Sequence, residues 1–140
     1  YPGSKKYVRL ENNFDLNSKL NIFDKLAFEV LDNDKYILEA VNGILNYNDN
    51  IKDCYPKMKE IINDISVSLN KPVTENYVFT YPNGGGKSKV SDFDYSNGSI
   101  RIWCTDWDEK SEKENDWEDD LNVSIDTKEF IYWVDNFAYK

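Results

Sequence analysis

The chain has 140 residues, 40 % hydrophobic and 15 % aromatic, with 26 acidic against 17 basic side chains, no histidine and a formal net charge of −9. That length and apolar content allow one packed domain over residues 1–140 and argue against disorder despite the charge. Without histidine there is no Ser-His-Asp or Cys-His catalysis, no His-type zinc site and little scope for metal-dependent nuclease chemistry.

From Tyr1 to Asn13 the charge is mixed, and Tyr7-Val8-Arg9-Leu10 reads as a short strand or a loose arm. Next, Asn17 is a candidate N-cap, and Leu20, Phe23, Leu26, Ala27, Val30 and Leu31 follow at helical spacing. Asp34 is placed to cap a second helix with Ile37, Val41, Ile44 and Leu45 as its apolar stripe. A third helix enters through Pro56, where a missing N–H is tolerated, and presents Met58, Ile61, Ile62, Ile65 and Leu69.

Beyond Pro72 the period changes to two. Tyr77–Tyr81, Lys89–Tyr95, Ser99–Thr105 and Leu121–Ile125 read as strands, with Ile100, Ile102 and Cys104 facing opposite to Arg101 and Trp103. Asp126-Thr127-Lys128-Glu129 resembles a capping box with Asp126 as the cap. It opens a closing helix with Phe130, Trp133, Val134 and Phe137 on its apolar face. The expected fold is therefore α+β: three N-terminal amphipathic helices, a largely antiparallel sheet of about four strands, and a C-terminal helix.

Local motifs carry little chemistry. Gly84-Gly85-Gly86-Lys87-Ser88 resembles the end of a phosphate-binding loop but lacks the first glycine and the helix that should follow, so it reads as a hairpin loop. Asp92, Asp94 and Ser96 match the opening of a calcium-binding loop, yet its glycine falls one place late and Trp103 stands where a bidentate Glu is needed. No carboxylate pair is placed for glycoside hydrolysis. Neither a catalytic residue, a metal site nor a cofactor is assigned.

The stretch from Trp103 to Asp120 stands out. It holds three of the four tryptophans and nine carboxylates against Lys110 and Lys113. Apolar rings in water and crowded like charges both cost free energy, so their combination points to a surface that meets a basic partner. The expected binding residues are Trp103, Asp106, Trp107, Asp108, Glu109, Asp116 and Trp117. In size and acidity the chain is similar in character to bacterial immunity proteins and inhibitors of basic toxin nucleases, a likeness with no motif behind it.

Direct nucleic-acid binding is disfavoured because phosphates would be repelled. No apolar run approaches the ~18 residues of a membrane span, so no membrane partner is expected. A second expectation is a secreted domain that recognises a glycan or another extracellular ligand through Trp and Tyr. It draws on a first residue other than Met, two Asn-X-Ser sites, and Cys54 and Cys104 as a candidate disulfide. Reduced core thiols in a cytoplasm fit the same two cysteines, and the compartment stays open.

Overall fold

The computed structural model describes residues 6–13, 22–33, 35–48, 50–82 and 85–138. The chain runs β1 (Tyr7–Asn13), β2 (Lys25–Leu31), β3 (Leu38–Asn46), α1 (Ile51–Leu69), β4 (Glu75–Thr80), β5 (Gly86–Tyr95), β6 (Gly98–Trp107), α2 (Glu109–Asn115), β7 (Asp120–Thr127) and α3 (Lys128–Asn136). The strands form one antiparallel sheet in the order β1-β2-β3-β7-β6-β5-β4. Two meanders thus meet where β7 pairs with β3, and α1 carries the chain from the centre of the sheet to its far edge.

This overturns the expectation of three N-terminal helices and a four-stranded sheet. The residues assigned to the first helix form β2, and those assigned to the second form β3. The Asn17 and Asp34 caps, and Leu20, lie outside the described residues. The cause is burial from two sides. β2 sends Leu26, Phe28 and Val30 to one face and Ala27, Glu29 and Leu31 to the other, with Ala27 and Glu29 buried. A strand covered on both faces is apolar in both registers, and that pattern also satisfies helical spacing.

Gly43 in β3 weighs against a helix and has a packing reason to be there. The Phe23 ring lies over it, so that an added Cβ would come within 2.8 Å of the ring.

The third helix exists but begins at Ile51, which leaves Pro56 inside it. It lies across one face of the sheet against β6 and β7. Its Cys54 and Met58 pack with Phe93, Ile102, Cys104 and Leu121, and Ile61, Ile62 and Ile65 close around them. Cys54 and Cys104 form a disulfide that ties the first turns of α1 to β6. At its far end the helix stops at Asn70, whose left-handed backbone (φ 48°) lets its N–H reach the Ser66 and Val67 carbonyls.

The opposite face carries α3. Phe130 and Trp133 pack with Tyr7, Ala40 and Ala138, the Tyr7 ring standing edge-on to both aromatics. The cap of α3 is Thr127, which accepts from the Phe130 N–H at 3.2 Å, one residue later than expected. Asp126 stays in β7 and accepts from the Ser124 hydroxyl at 2.6 Å. The acidic stretch between β6 and β7 contains the short helix α2. Among the described residues no helix is long and apolar enough to cross a membrane.

Candidate functional site

Strand alternation decides what the α3 face presents. In β6 the odd positions Arg101, Trp103 and Trp107 face it, while Ile102 and Cys104 face α1. In β4 and just beyond, Tyr77, Phe79 and Tyr81 recur two apart and share the face with Arg101 and Trp103. α3 covers part of this face. Between it and the aromatic wall runs a groove of about 350 Å³, lined by Tyr77, Phe79, Trp103, Phe130 and Val134 together with polar groups.

At one end the groove opens onto a chain of four rings. Phe79 meets Tyr81 edge-on at a centroid distance of 4.9 Å, Tyr81 meets Trp107 at 4.6 Å, and Trp107 meets Trp117 at 4.4 Å. Phe79 and Trp117 remain 45 % and 44 % exposed, so both ends of this rail face solvent. Residues 79 and 117 are far apart in the chain. They end one chain of rings because β4, β5 and β6 pair in register and α2 joins the end of β6 to the start of β7. Asp119 fixes that return, its Oδ1 accepting from the Trp107 N–H at 3.0 Å.

The acidic side chains around the rail have separate duties. Asp108 caps α2, its Oδ1 accepting from the Ser111 N–H at 2.7 Å, and these hydrogen bonds hold its carboxyl below the usual range. Glu109 faces Lys113 at 3.4 Å on the exposed surface of α2. Asp116 ends that helix in a left-handed conformation (φ 57°). Asp106 projects from the α1 face of β6, opposite Lys87 in register, and is exposed. Of the seven expected binding residues, then, Trp107 and Trp117 touch and Asp108, Glu109 and Asp116 flank them. Trp103 lies inside the groove, and Asp106 lies on the other side of the sheet.

The groove also holds ions. Arg9 reaches Glu29 at 2.6 Å and Glu11 at 2.6 Å. Burial pulls the Arg9 guanidinium down, but these two carboxylates outweigh it and the net direction is up. Arg101 grips the buried Asp92 with two nitrogens at 2.8 and 3.1 Å, and the Tyr77 hydroxyl sits 3.4 Å from the same carboxylate. Asp92 is therefore committed to Arg101. Burial raises the Asp126 carboxyl; Ser124 and Arg101 oppose that, and the Asp92 and Glu29 charges add to it.

The chain matches no protein-family model, no curated protein and no solved structure. The reading of the site therefore rests on its geometry.

Sequence reasoning passed over Tyr77, Phe79 and Tyr81, although three aromatics at i, i+2 and i+4 of a strand share one face and are a readable signal. It also passed over Glu29 and Asn42, each a lone polar residue in an apolar run.

Proposed function

We propose that this chain is a non-enzymatic recognition domain whose partner is a basic protein, met by the Phe79–Tyr81–Trp107–Trp117 rail and the carboxylates beside it. The rail carries the reading. Partly exposed aromatic rings in contact form an apolar strip that is costly to leave in water and that suits a partner's buried anchor residues. Ring faces also attract Lys and Arg side chains, and α2 and its flanks place Glu109, Glu114, Asp116 and Glu118 close by in sequence. Long-range attraction from a −9 domain would speed the encounter with a basic partner.

The test is capture from the native source at low and high salt, followed by kinetics with the partner so identified. Replacing Glu109, Glu114, Asp116 and Glu118 by their amides is expected to slow association and flatten its salt dependence. Trp107→Ala is expected to act mainly on dissociation, raising the off-rate on the order of tenfold or more. Amide replacement of Asp106 alone, on the other face, should change little. If both sets leave the kinetics unmoved, the rail is not the contact surface.

The Cys54–Cys104 bond favours a second reading, a secreted domain that stacks a glycan or another extracellular ligand on the same rings, since such bonds persist in oxidising compartments. Salt separates the two: sugar stacking is nearly insensitive to it, while capture of a basic protein is not.

A further inference from the structure

Within the groove, two buried oxygens have no hydrogen-bond donor among the described residues. Glu29 is 3 % exposed. Its Oε1 takes the Arg9 guanidinium, and its Oε2 has no hydrogen-bond partner among the described residues. The other is Asn42 Oδ1. A relay settles which way that amide points: Asn122 donates through Nδ2 to Asp120 at 2.7 Å, so its own Oδ1 must accept from Asn42 Nδ2, at 3.0 Å. The Asn42 oxygen is what remains. Leaving a buried acceptor unmade is costly, more so when it is charged, so two in one groove call for a reason.

Their placement suggests one. In the pairing of β2 with β3, Glu29 stands opposite Ala40 and Asn42 opposite Ala27. Glu29 and Asn42 are thus diagonal neighbours, about 7–8 Å apart at the backbone, within reach of one small ligand. The other two corners are small residues, Ala27 and Ala40, the second packed against Phe130 and Trp133. The register shifts between Glu29 and Val30, and such bulges re-aim side chains and recur beside sites. Both guanidinium groups at the groove are already engaged, Arg9 with Glu11 and Glu29 and Arg101 with Asp92. The free valences are acceptors.

We propose that this groove is a binding site for a small organic ammonium compound. Its N–H groups would bond to Glu29 Oε2 and Asn42 Oδ1, and its apolar stem would lie against Phe130, which packs on Ala40, and Trp103, which stands opposite Asn122 in register. A volume of about 350 Å³ suits a compact ligand, at the low end for small-molecule sites. The inference rests on the buried acceptors and stands independently of the reading of the rail.

Calorimetry and amide-resolved NMR with phenethylamine and its uncharged counterpart 2-phenylethanol test it. The amine is expected to bind about 10- to 100-fold more tightly than the alcohol, the range that a charge-assisted hydrogen bond supplies, and to shift resonances of β2 and β3 around Glu29 and Asn42. Glu29→Gln should abolish that preference. Trp103→Leu should weaken the amine several-fold while leaving the preference over the alcohol intact. Equal affinity for the two probes, no binding of either into the millimolar range, or amine binding that survives Glu29→Gln would each overturn the proposal. Should Glu29→Gln fail to fold, the wild-type contrast between the probes, mapped onto β2 and β3, decides alone.

Discussion

Burial at the head of β7 pushes the Asp120 carboxyl up to about 6; hydrogen bonds from Thr105 and Asn122 oppose this, and the Asp119 charge adds to it. The folded protein therefore holds this proton more tightly than an unfolded chain does. Stability from the group is fully present below the unfolded value near 3.8 and is lost as pH rises through about 6. A shift of about two units is worth on the order of 2–3 kcal/mol at neutral pH. Asp120→Asn keeps an acceptor for Asn122 and removes the ionisation. It is expected to raise stability by about 1–2 kcal/mol near neutral pH and by little near pH 4. Urea unfolding at the two pH values checks this, and an equal gain at both would contradict it. Single residues of the site were unevenly legible. Trp107 and Trp117 announced themselves by density of tryptophan and charge. Glu29 did not, because one acid in Leu-Ala-Phe-Glu-Val-Leu has no meaning until its strand, face and neighbours are known.

Among the elements, β5 and β6 were readable because Ser96-Asn97-Gly98 marks a tight turn between two runs of period two, and β7 because Leu121–Ile125 alternates. α3 was readable because Phe130, Trp133 and Val134 fall on one stripe and its other side meets solvent, as with exposed Tyr132, although Phe137, expected on the same stripe, lies at the C-cap and is 56 % exposed. β2 and β3 were not, since residues on both their faces are at least partly buried along most of their length and periodicity then no longer discriminates. The Cys54–Cys104 pair was legible as a candidate, but its role was not: it fastens α1 to a strand it crosses. The loop it closes spans 50 residues. A chain-entropy argument gives such a bond about 4 kcal/mol of stabilisation. Reduction, or Cys54→Ser with Cys104→Ser, is expected to lower the denaturation midpoint accordingly. Identical unfolding curves with and without reductant would show that the bond contributes nothing to the fold.

Across the whole molecule, the order β1-β2-β3-β7-β6-β5-β4 gives the last strand in sequence the joining position. β7 supplies both the pairing edge for β3 and that for β6, so the two meanders become one sheet only when the C-terminal part of the chain arrives. The same strand leads directly into α3, and the groove forms where α3 stops short of the edge strand. A site assembled from β2, β3, β4, β6 and α3 depends on contacts distant in sequence, which is the physical reason that local spacing could not reveal it.

The four tryptophans are distributed in a way that gives the protein its own optical readout. Trp133 lies in the α3 core beside Tyr7, Trp103 lines the groove, and Trp107 and Trp117 stand ring to ring on the rail. Two indoles at 4.4 Å couple their electronic transitions, so the circular dichroism of the aromatic bands should carry a paired signal that neither ring produces alone. Trp117→Phe is expected to erase that signal while leaving the unfolding temperature unchanged. Emission from Trp133 would still report the fold. Occupancy of the rail, occupancy of the groove and integrity of the core then become three separable spectroscopic signals within one unlabelled chain.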